Sequence, residues 1–194
     1  MVMRSIRKAF MRDIDIIMRI YEEARVFMRS TGNGSQWGDS FPPRGIIAAD
    51  IENGDLYVCT EKQQSGGQSA AEEIKEAEET KKIEKIEEIE ETVGVFYFKV
   101  EEEPTYKRID GGGWLNNEPY GVVHRMAGSR KAKGVAAFCL DWCEKQCANI
   151  RIDTHRDNIV MLKVLKKAGY THCGVIYVAN GSERLAFQKV SQKV

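Results

Sequence analysis

Residues 124–143 combine positive charge, a glycine and the predicted start of a helix, an arrangement that can bind phosphate. Arg130, Lys131 and Lys133 supply the charge, and a helix is predicted from Gly134 because apolar side chains recur on one face after it. The first backbone N–H groups of a helix lack an internal partner and carry the positive end of the helix dipole. The pattern therefore predicts an anion site built from backbone donors. An ordinary strand-to-helix connection is the alternative, and the motif alone does not decide between the two.

Other sites that these residue types could form have less support. The sequence contains neither G-x-x-x-x-G-K-S/T, which binds nucleoside triphosphates, nor G-x-G-x-x-G, which binds dinucleotides. Cys139, Cys143 and Cys147 lie at i, i+4 and i+8 of the predicted helix, a spacing that could hold a metal, but no matching pair of ligands accompanies them. We prefer small apolar packing for these thiols and predict no metal site.

Length and composition favour one domain covering residues 1–194, since 194 residues with 42% hydrophobic side chains can build one sizeable core. The 29 acidic and 29 basic residues balance, so we expect no general attraction to nucleic acid. No apolar run approaches the roughly 18 residues of a membrane span, and the first residues contain no apolar signal-peptide core. We therefore expect a cytoplasmic protein with no membrane contact, in which the five cysteines remain free thiols.

Hydrophobic periodicity and turn residues divide the chain into strands and helices in a mixed order. The predicted strands are Ser5–Phe10, Leu56–Thr60, Val93–Val100, Tyr120–Ala127, Ile150–Thr154, Cys173–Val178 and Arg184–Val190. Helices are predicted from Asp13 to about Met28, from Pro43 to about Asn53, from Gly134 through Cys143, and from Asp157 or Asn158 to Gly169. The predicted fold class is α/β (α+β), with a mixed and mostly antiparallel sheet of about seven strands flanked by about four helices.

Residues 62–92 interrupt what would otherwise be a hairpin between the second and third strands. A Gln/Gly/Ser stretch is followed by a run of Glu, Lys and Ile, in which Ile83, Ile86 and Ile89 recur at every third position. The composition favours a helix, and the narrow apolar stripe favours a solvated, partly frayed one. We interpret the segment as a low-complexity, charged helical insertion, with a partner-binding or dimerising helix as the alternative.

The sequence resembles the GNAT family of N-acetyltransferases in three stretches. Lys131-Ala-Lys-Gly-Val-Ala136 resembles the Q/R-x-x-G-x-G/A loop that wraps the pyrophosphate of acetyl-CoA in that family, with Lys131 in place of Gln or Arg. The opening IRKAFMRDIDIIMRIYEEAR and the later RIDTHRDNIVMLKVLKKAGY resemble the first and a late characteristic block. The predicted order of strands and helices is also the GNAT order, so the resemblance covers nearly the whole chain except the insertion.

The resemblance implies that acetyl-CoA is the cosubstrate. In the family, the strand before the phosphate loop splays from the next strand and the pantetheine arm enters the gap; here that strand is Val122–Ala127. Asn158 matches a position whose amide commonly contacts the cofactor, with a plain helix cap as the alternative interpretation. The implied cofactor-binding residues are Arg125, Met126, Ala127, Lys131, Ala132, Lys133, Gly134, Val135, Ala136 and Asn158.

Acetyl transfer needs a neutral amine, donors for the developing oxyanion and a proton source for the departing thiolate. Many family members place a tyrosine in the late helix to protonate the thiolate, and the matching position here is Leu165. His155 and His124 are the candidate catalytic residues, because an unperturbed histidine titrates near neutral pH. Tyr177 is a third and weaker candidate. For each histidine, the alternative is a packed and hydrogen-bonded side chain.

The resemblance also implies an acceptor pocket between the first two helices, the loop of residues 101–120 and the closing hairpin. Trp37, Trp114 and Tyr120 are the aromatic candidates for substrate binding there, with loop anchoring as the alternative. The expected function is direct transfer, in a ternary complex, to a primary amine of a small molecule or peptide. Because the usual tyrosine is missing, a non-catalytic acyl-CoA-binding or regulatory module is the alternative, and a homodimer is left open.

Overall fold

The computed structural model describes residues 2–63 and 90–191, which form a mixed sheet with helices on both faces. The strands within these residues are β1 (Val2–Lys8), β2 (Leu56–Gln63), β3 (Glu90–Val100), β4 (Gly121–Gly128), β5 (Asn149–Thr154), β6 (Thr171–Tyr177) and β7 (Glu183–Val190). The helices are α1 (Ile14–Ser30), α2 (Arg44–Glu52), α3 (Val135–Gln146) and α4 (Ile159–Lys167), with 3-10 turns at Met11–Asp13 and Pro104–Tyr106.

The sheet has seven strands in the order β1-β2-β3-β4-β5-β7-β6. Every neighbouring pair is antiparallel except β4 and β5, which are parallel and joined through α3. A parallel pair needs a crossover connection, and α3 provides it. The predicted fold class, mostly antiparallel sheet and numbers of strands and helices are confirmed.

Side chains of each strand alternate between two apolar layers. Val95 and Tyr97 of β3 pack with α1 and α2, whereas Phe96 and Phe98 pack with α3 and α4. Tyr21 of α1 and Leu140 of α3 are fully buried in their respective layers. The sheet therefore carries one helix pair on each face, and the cleft described below opens at its centre.

Strand β1 ends earlier than predicted because Asp13 organises a turn after it. The Asp13 carboxylate accepts the Phe10 backbone N–H at 2.8 Å and binds the Arg7 guanidinium at 2.7 Å. Asp13 does precede α1, as predicted, but its side chain does not cap the helix. The hydrogen bond from Arg7 lowers the Asp13 pKa, so the carboxylate stays ionised in this pair.

Strands β2 and β3 extend into the segment that was predicted as an insertion. Their ladder continues through Lys62 and Glu90, where Thr60 lies opposite Thr92 and Lys62 opposite Glu90, two pairings that favour an antiparallel ladder. The predicted insertion of residues 62–92 thus begins two residues later and ends three residues earlier than expected, and its remaining part, 64–89, lies outside the described residues.

The five cysteines are free, and four of them are buried in apolar surroundings. Cys147 donates to the Asn149 carbonyl at 3.2 Å, whereas Cys139 and Cys143 pack in the layer under α3. In residues 2–63 and 90–191, no group of three or more His, Cys, Asp or Glu side chains could hold a metal ion. Over the same residues, no helix combines the length and apolar character needed to cross a membrane.

Candidate active site

Strands β4 and β5 pair only over their first three positions. Gly121, Val122 and Val123 lie opposite Ile150, Arg151 and Ile152, and the pairing stops there although both strands continue. The later part of β4, residues 124–128, therefore diverges from the end of β5. A cleft opens between the two strands at the centre of the sheet, as predicted for the strand before the basic loop.

A bulge in β4 marks the point of divergence. Tyr97 pairs with His124 and Val95 with Ala127, so β4 carries one residue more than β3 across this interval. Arg125 in the bulge has a φ of 50°, a conformation that non-glycine residues rarely adopt. The Tyr21 hydroxyl holds it in place by donating to the Arg125 carbonyl at 2.9 Å.

The Arg125 side chain is held by interactions with other residues of the protein. Its guanidinium donates to the Asp50 carboxylate at 2.7 Å and lies 4.7 Å from the centre of the Tyr97 ring. Arg125 is a lining residue of the cleft, but this ion pair leaves its backbone as the part suited to the predicted cofactor contact.

The cleft encloses about 1000 Å³ and is lined from both helix layers. Its wall includes the end of α1 with the following loop, the second half of β4, the start of α3, the end of β5, α4 and the connection between β6 and β7. The predicted cofactor residues that line it are Arg125, Met126, Ala127, Ala132, Gly134, Val135, Ala136 and Asn158. Most of that predicted set is thus brought together in one cavity.

Helix α3 points an uncapped amino terminus at the cleft. It begins after Gly134, whose φ is 75°, and no side chain caps it. A Cβ at Gly134 would have only the Arg4 guanidinium within 4 Å, at 3.6 Å, so the space beside it is open. Gly94 lets α3 approach the sheet, because a Cβ there would lie 2.4 Å from Val135. The first N–H groups of α3 are therefore available to an anion.

The charges of the basic loop, residues 128–134, are distributed differently from the prediction. Lys131 and Lys133 are absent from the residues that line the cleft. The Lys131 side chain is 77% exposed and its ammonium lies 3.6 Å from Glu91, at the end of the β3 ladder. Arg130 does line the cleft, with its guanidinium 4.8 Å from the centre of the Phe27 ring. Successive side chains of the loop point alternately toward and away from the cavity. The order of residues in the motif does not predict this alternation.

Asn158 caps α4 and faces the cleft at the same time. Its side-chain oxygen accepts the Met161 N–H at 3.1 Å, and its side-chain nitrogen donates to Gln36 at 3.2 Å. The cap is therefore present, and the amide is also among the groups that line the cavity. Gln36 ties this end of α4 to the loop after α1.

A charged cluster, consisting of Glu103, His124 and Asp153, lies in the cavity beside the bulge. His124 Nε2 is 3.2 Å from Glu103 Oε2, and His124 Nδ1 is 3.6 Å from Asp153 Oδ1. The Tyr106 hydroxyl donates to Asp153 at 2.8 Å. His124 is thus the predicted catalytic candidate that the fold brings into the cleft, held between two carboxylates.

The two carboxylates of the cluster were not predicted. The hydrogen bond from His124 lowers the Glu103 pKa to about 2, so Glu103 is an anion at neutral pH. Asp153 has a side chain only 9% exposed. Asp153 alternates with Ile150 and Ile152 in the polar–apolar pattern of β5, NIRIDT, and Glu103 is one of three successive glutamates, so neither residue carried a local signal.

The other two predicted catalytic residues lie outside the cavity lining. His155 follows Thr154 but turns to Asp157, whose N–H it accepts at 3.2 Å, and burial lowers the His155 pKa. Tyr177 lies under the Arg108 guanidinium, 4.7 Å from its ring centre. Neither side chain reaches the cavity lining, because His155 is held by the turn at Asp157 and Tyr177 lies against Arg108.

Of the three aromatic candidates for substrate binding, one lines the cavity and two do not. Trp37 lines the cleft and packs edge-on against Tyr21, with ring centres 5.6 Å apart. Trp114 and Tyr120 instead enclose the Arg151 guanidinium, which lies 4.3 Å and 3.9 Å from their ring centres. These two rings anchor the loop before β4 by cation–π contacts, so the structure corrects their expected place in the pocket.

Helix α4 presents Met161 and Val164 to the cleft, while Leu165 is fully buried beneath it. The position that the resemblance matches to a tyrosine is therefore occupied by a buried leucine. The sequence of α4, IVMLKVLKK, contains no hydroxyl or acid.

Taken together, the cavity offers uncapped backbone donors at one end and acidic side chains around an imidazole at the other. An elongated ligand with a phosphate group and a reactive far end fits this distribution of groups. A second ligand can enter beside the charged cluster, along Trp37 and the connection between β6 and β7.

Comparison with solved structures gives close similarity in fold. A GNAT-family acetyltransferase from Streptococcus agalactiae 2603 is 30% identical, with 98% of this chain and 96% of that chain covered and a TM-score of 0.76. A GNAT-family acetyltransferase from Listeria monocytogenes 4b F2365 is 17% identical over 96% and 94% of the two chains, with a TM-score of 0.60. A GNAT superfamily phosphinothricin acetyltransferase from Sinorhizobium meliloti, solved with acetyl-CoA, is 12% identical over 97% and 89%, with a TM-score of 0.56. No protein-family model and no curated protein matches the sequence.

Proposed function

The chain belongs to the GNAT family of acetyltransferases, and from this premise we propose that it transfers the acetyl group of acetyl-CoA to a primary amine of a small molecule or peptide. The proposed reaction is a direct attack by the amine within a ternary complex. The supply of the acyl group as an activated thioester is the chemistry that acetyl-CoA contributes.

The observation that carries the proposal is the divergence of β4 from β5 toward an uncapped helix. The pairing ends at Val123, and the wall of the cleft then runs from His124 along β4 to Gly134. Small side chains and free N–H groups at the start of α3 suit the pyrophosphate of CoA. The residues proposed to hold the phosphates are Gly134, Val135 and Ala136, while Met126 and Ala127 flank the pantetheine arm.

The charged cluster supports a role in deprotonating the amine. Because Glu103 is anionic and lies next to Nε2, it favours the tautomer in which Nε2 carries the proton. Nδ1 is then free to accept a proton from an ammonium group held by Asp153. Glu103 stabilises the imidazolium that results, and Asp153 is oriented by the Tyr106 hydroxyl.

The acceptor enters from the side of Trp37 in this proposal. Its ammonium loses one proton to His124, and the nitrogen forms a bond to the acetyl carbon as the carbon–sulfur bond breaks. The second proton of the nitrogen is transferred to sulfur through solvent, since α4 offers no hydroxyl for this step.

A non-catalytic acyl-CoA-binding module is the second candidate, and the observation that favours it is the same lack of a proton donor on α4. The cytoplasmic location predicted from the sequence stays a prediction, and the homodimer stays open. They do not affect the test of the chemistry.

Calorimetric titration with acetyl-CoA, followed by a thiol-release assay across a panel of primary amines, tests the proposal. We expect binding, thermal stabilisation by the cofactor and turnover with some amines. ATP, which carries phosphates without the pantetheine arm, is the control and should stabilise the protein much less. Binding of acetyl-CoA without turnover across the panel would favour the non-catalytic module, and absence of binding would refute both candidates.

A further inference from the structure

Arg184 is a buried cation in the cleft without an acidic partner. It lies on β7, is 9% exposed and lines the same cavity as the charged cluster. Its guanidinium donates to two backbone carbonyls, those of Glu183 at 2.9 Å and Gln36 at 3.5 Å. Among residues 2–63 and 90–191, no carboxylate lies within ion-pair distance of it.

This environment is costly for a charged group unless a ligand completes it. A guanidinium has five N–H donors, and two carbonyl contacts leave donors of Arg184 facing the cavity. Burial lowers the Arg184 pKa, while the negative charge of Asp153 acts in the opposite direction. A carboxylate is the ligand group that a planar arginine fork matches best.

The positive group and the negative cluster share one face of the sheet. Ala186 of β7 pairs with Asp153 of β5, and Arg184 lies two residues before Ala186, so it projects to the same side. Diagonal neighbours of this kind have Cα atoms about 7–8 Å apart. A small molecule that carries an ammonium and a carboxylate on the same carbon atom can lie between the two side chains and contact both.

We propose that the acceptor is a free α-amino acid, whose carboxylate is bound by Arg184 and whose α-ammonium is bound by Asp153 next to His124. This proposal rests on the proposed acetyl transfer and specifies its substrate class. Of the three protons of the α-ammonium, one goes to His124, a second goes to the leaving sulfur through solvent and the third stays on the amide nitrogen, so the products are an N-acetyl amino acid and CoA.

The remaining lining of this end of the cavity favours an apolar side chain on the amino acid. Trp37, Phe41 and Val178 line it together with Arg184. We therefore choose leucine, methionine and phenylalanine as the probes. Each has two matched relatives: the amino acid amide, which lacks the negative charge, and the decarboxylated amine, which lacks the whole group.

The experiment compares these probes by thiol release with wild-type protein and with Arg184→Gln, Arg184→Lys and Arg156→Gln. Arg156 is the control, because its exposed guanidinium pairs with Glu183 outside the cavity. With wild type, we expect kcat/KM for at least one free amino acid to exceed that of its amide and amine at least about tenfold, as for a charged hydrogen bond. Arg184→Gln should abolish this preference through KM, Arg184→Lys should restore part of it, and Arg156→Gln should keep it.

The outcomes separate failure of this proposal from failure of acetyl transfer. Turnover of amines or amides with no preference for the free acids would refute the amino-acid acceptor and leave acetyl transfer intact. A preference for free acids that survives Arg184→Gln in folded protein would also refute the assignment. No turnover with any amine would refute both, whereas the comparison in wild type does not depend on the folding of any variant.

Discussion

The two ends of the cleft present different kinds of chemical group, backbone N–H donors at one end and charged side chains at the other. At the basic loop, one continuous stretch supplies glycine, small side chains and the free N–H groups of α3. At the charged cluster, Glu103, His124 and Asp153 come from three separate parts of the chain and act through side chains. One end therefore offers backbone donors that any side chains of similar size would leave in place, whereas the other end depends on the identity of three charged or titratable side chains.

This difference has a consequence for measurement. Changes in the charged cluster should alter turnover and leave cofactor binding nearly constant, whereas changes at the start of α3 should alter cofactor binding first. Within the described residues, no hydrogen bond or ion pair joins the charged cluster to the start of α3, so changes at the two sites are expected to contribute independently. Variants at each site test this independence.

The largest effect is expected for His124→Ala. Loss of a positioned general base lowers kcat by roughly 10²–10⁴-fold. The acetyl-CoA dissociation constant should stay within about twofold in the same protein, since the imidazole faces the acceptor side. His155→Ala is the matched control, because His155 lies outside the cavity lining and should keep most of the activity. Equal losses in the two variants would mean that His124 is a packed histidine and not the base.

The next largest effect is expected for Gly134→Val, read out as acetyl-CoA affinity. Gly134 has a φ of 75°, so a β-branched residue must either strain or open the turn at the start of α3. We expect the dissociation constant to rise about tenfold or more, while kcat at saturating cofactor changes less. Gly134→Asn is the control, because Asn tolerates this backbone conformation.

The melting temperature of each Gly134 variant without ligand measures the cost to folding. The structure shows that this cost exists, because the strain is in the backbone and the space for a Cβ is open. A folded Gly134→Val protein with unchanged acetyl-CoA affinity would mean that the phosphates bind elsewhere. The start of α3 would then no longer be the end of the cleft that controls cofactor binding.

A smaller effect is expected in the pH dependence of stability when Glu103 is changed to Gln. The Glu103 pKa is about 2 in the folded protein against an ordinary value of 4.5. A depressed pKa adds stability above the unfolded value, and this stability is lost as the pH falls from about 4.5 to about 2. Wild-type unfolding free energy should therefore decrease more steeply than that of Glu103→Gln over this range.

Urea unfolding at pH 6.5, 4.5 and 3 measures this difference, with Glu102→Gln as the control. Glu102 is exposed in the same run of glutamates and should leave the slope as in wild type. If Glu103→Gln and wild type lose stability in parallel below pH 4.5, the Glu103–His124 pair is not formed in solution.

The sequence predicted the structure of the basic loop better than that of the charged cluster for a physical reason. The start of α3 is set by Gly134 and the apolar stripe that follows it, which are local features. The positions of Glu103 and Asp153 depend on the pairing of strands that are distant in sequence. No local sequence pattern predicts that pairing. His124 was a candidate because it is a histidine on β4 itself, the strand that the resemblance implies diverges from its neighbour.

The wrong placements share a cause as well. Trp114 and Tyr120 were expected in the pocket because they lie in a loop, but the buried Arg151 draws both rings to itself. Tyr177 is held in the same way by Arg108. An arginine on a neighbouring element redirects an aromatic side chain, and its position becomes visible only once the strands are in register.

The smallest effect is expected for Lys131→Ala, at the position that departs from the family loop. The Lys131 side chain is 77% exposed and its ammonium lies near Glu91. An exposed charge of this kind contributes about 0–1 kcal/mol and is screened by salt. We expect acetyl-CoA affinity to fall by less than about fivefold at low salt, and the difference from wild type to vanish at 0.5 M salt.

Arg130→Ala is the comparison within the same loop, because Arg130 lines the cleft beside Phe27. It should weaken binding more than Lys131→Ala, and part of its effect should persist at high salt because its guanidinium is shielded by the aromatic ring. If Lys131→Ala has the larger effect, the lysine must turn toward the phosphates when acetyl-CoA binds. Side-chain charge would then contribute to ligand binding at the basic loop as it does at the charged cluster. The two ends of the cleft would then use more similar groups than the structure without a ligand indicates.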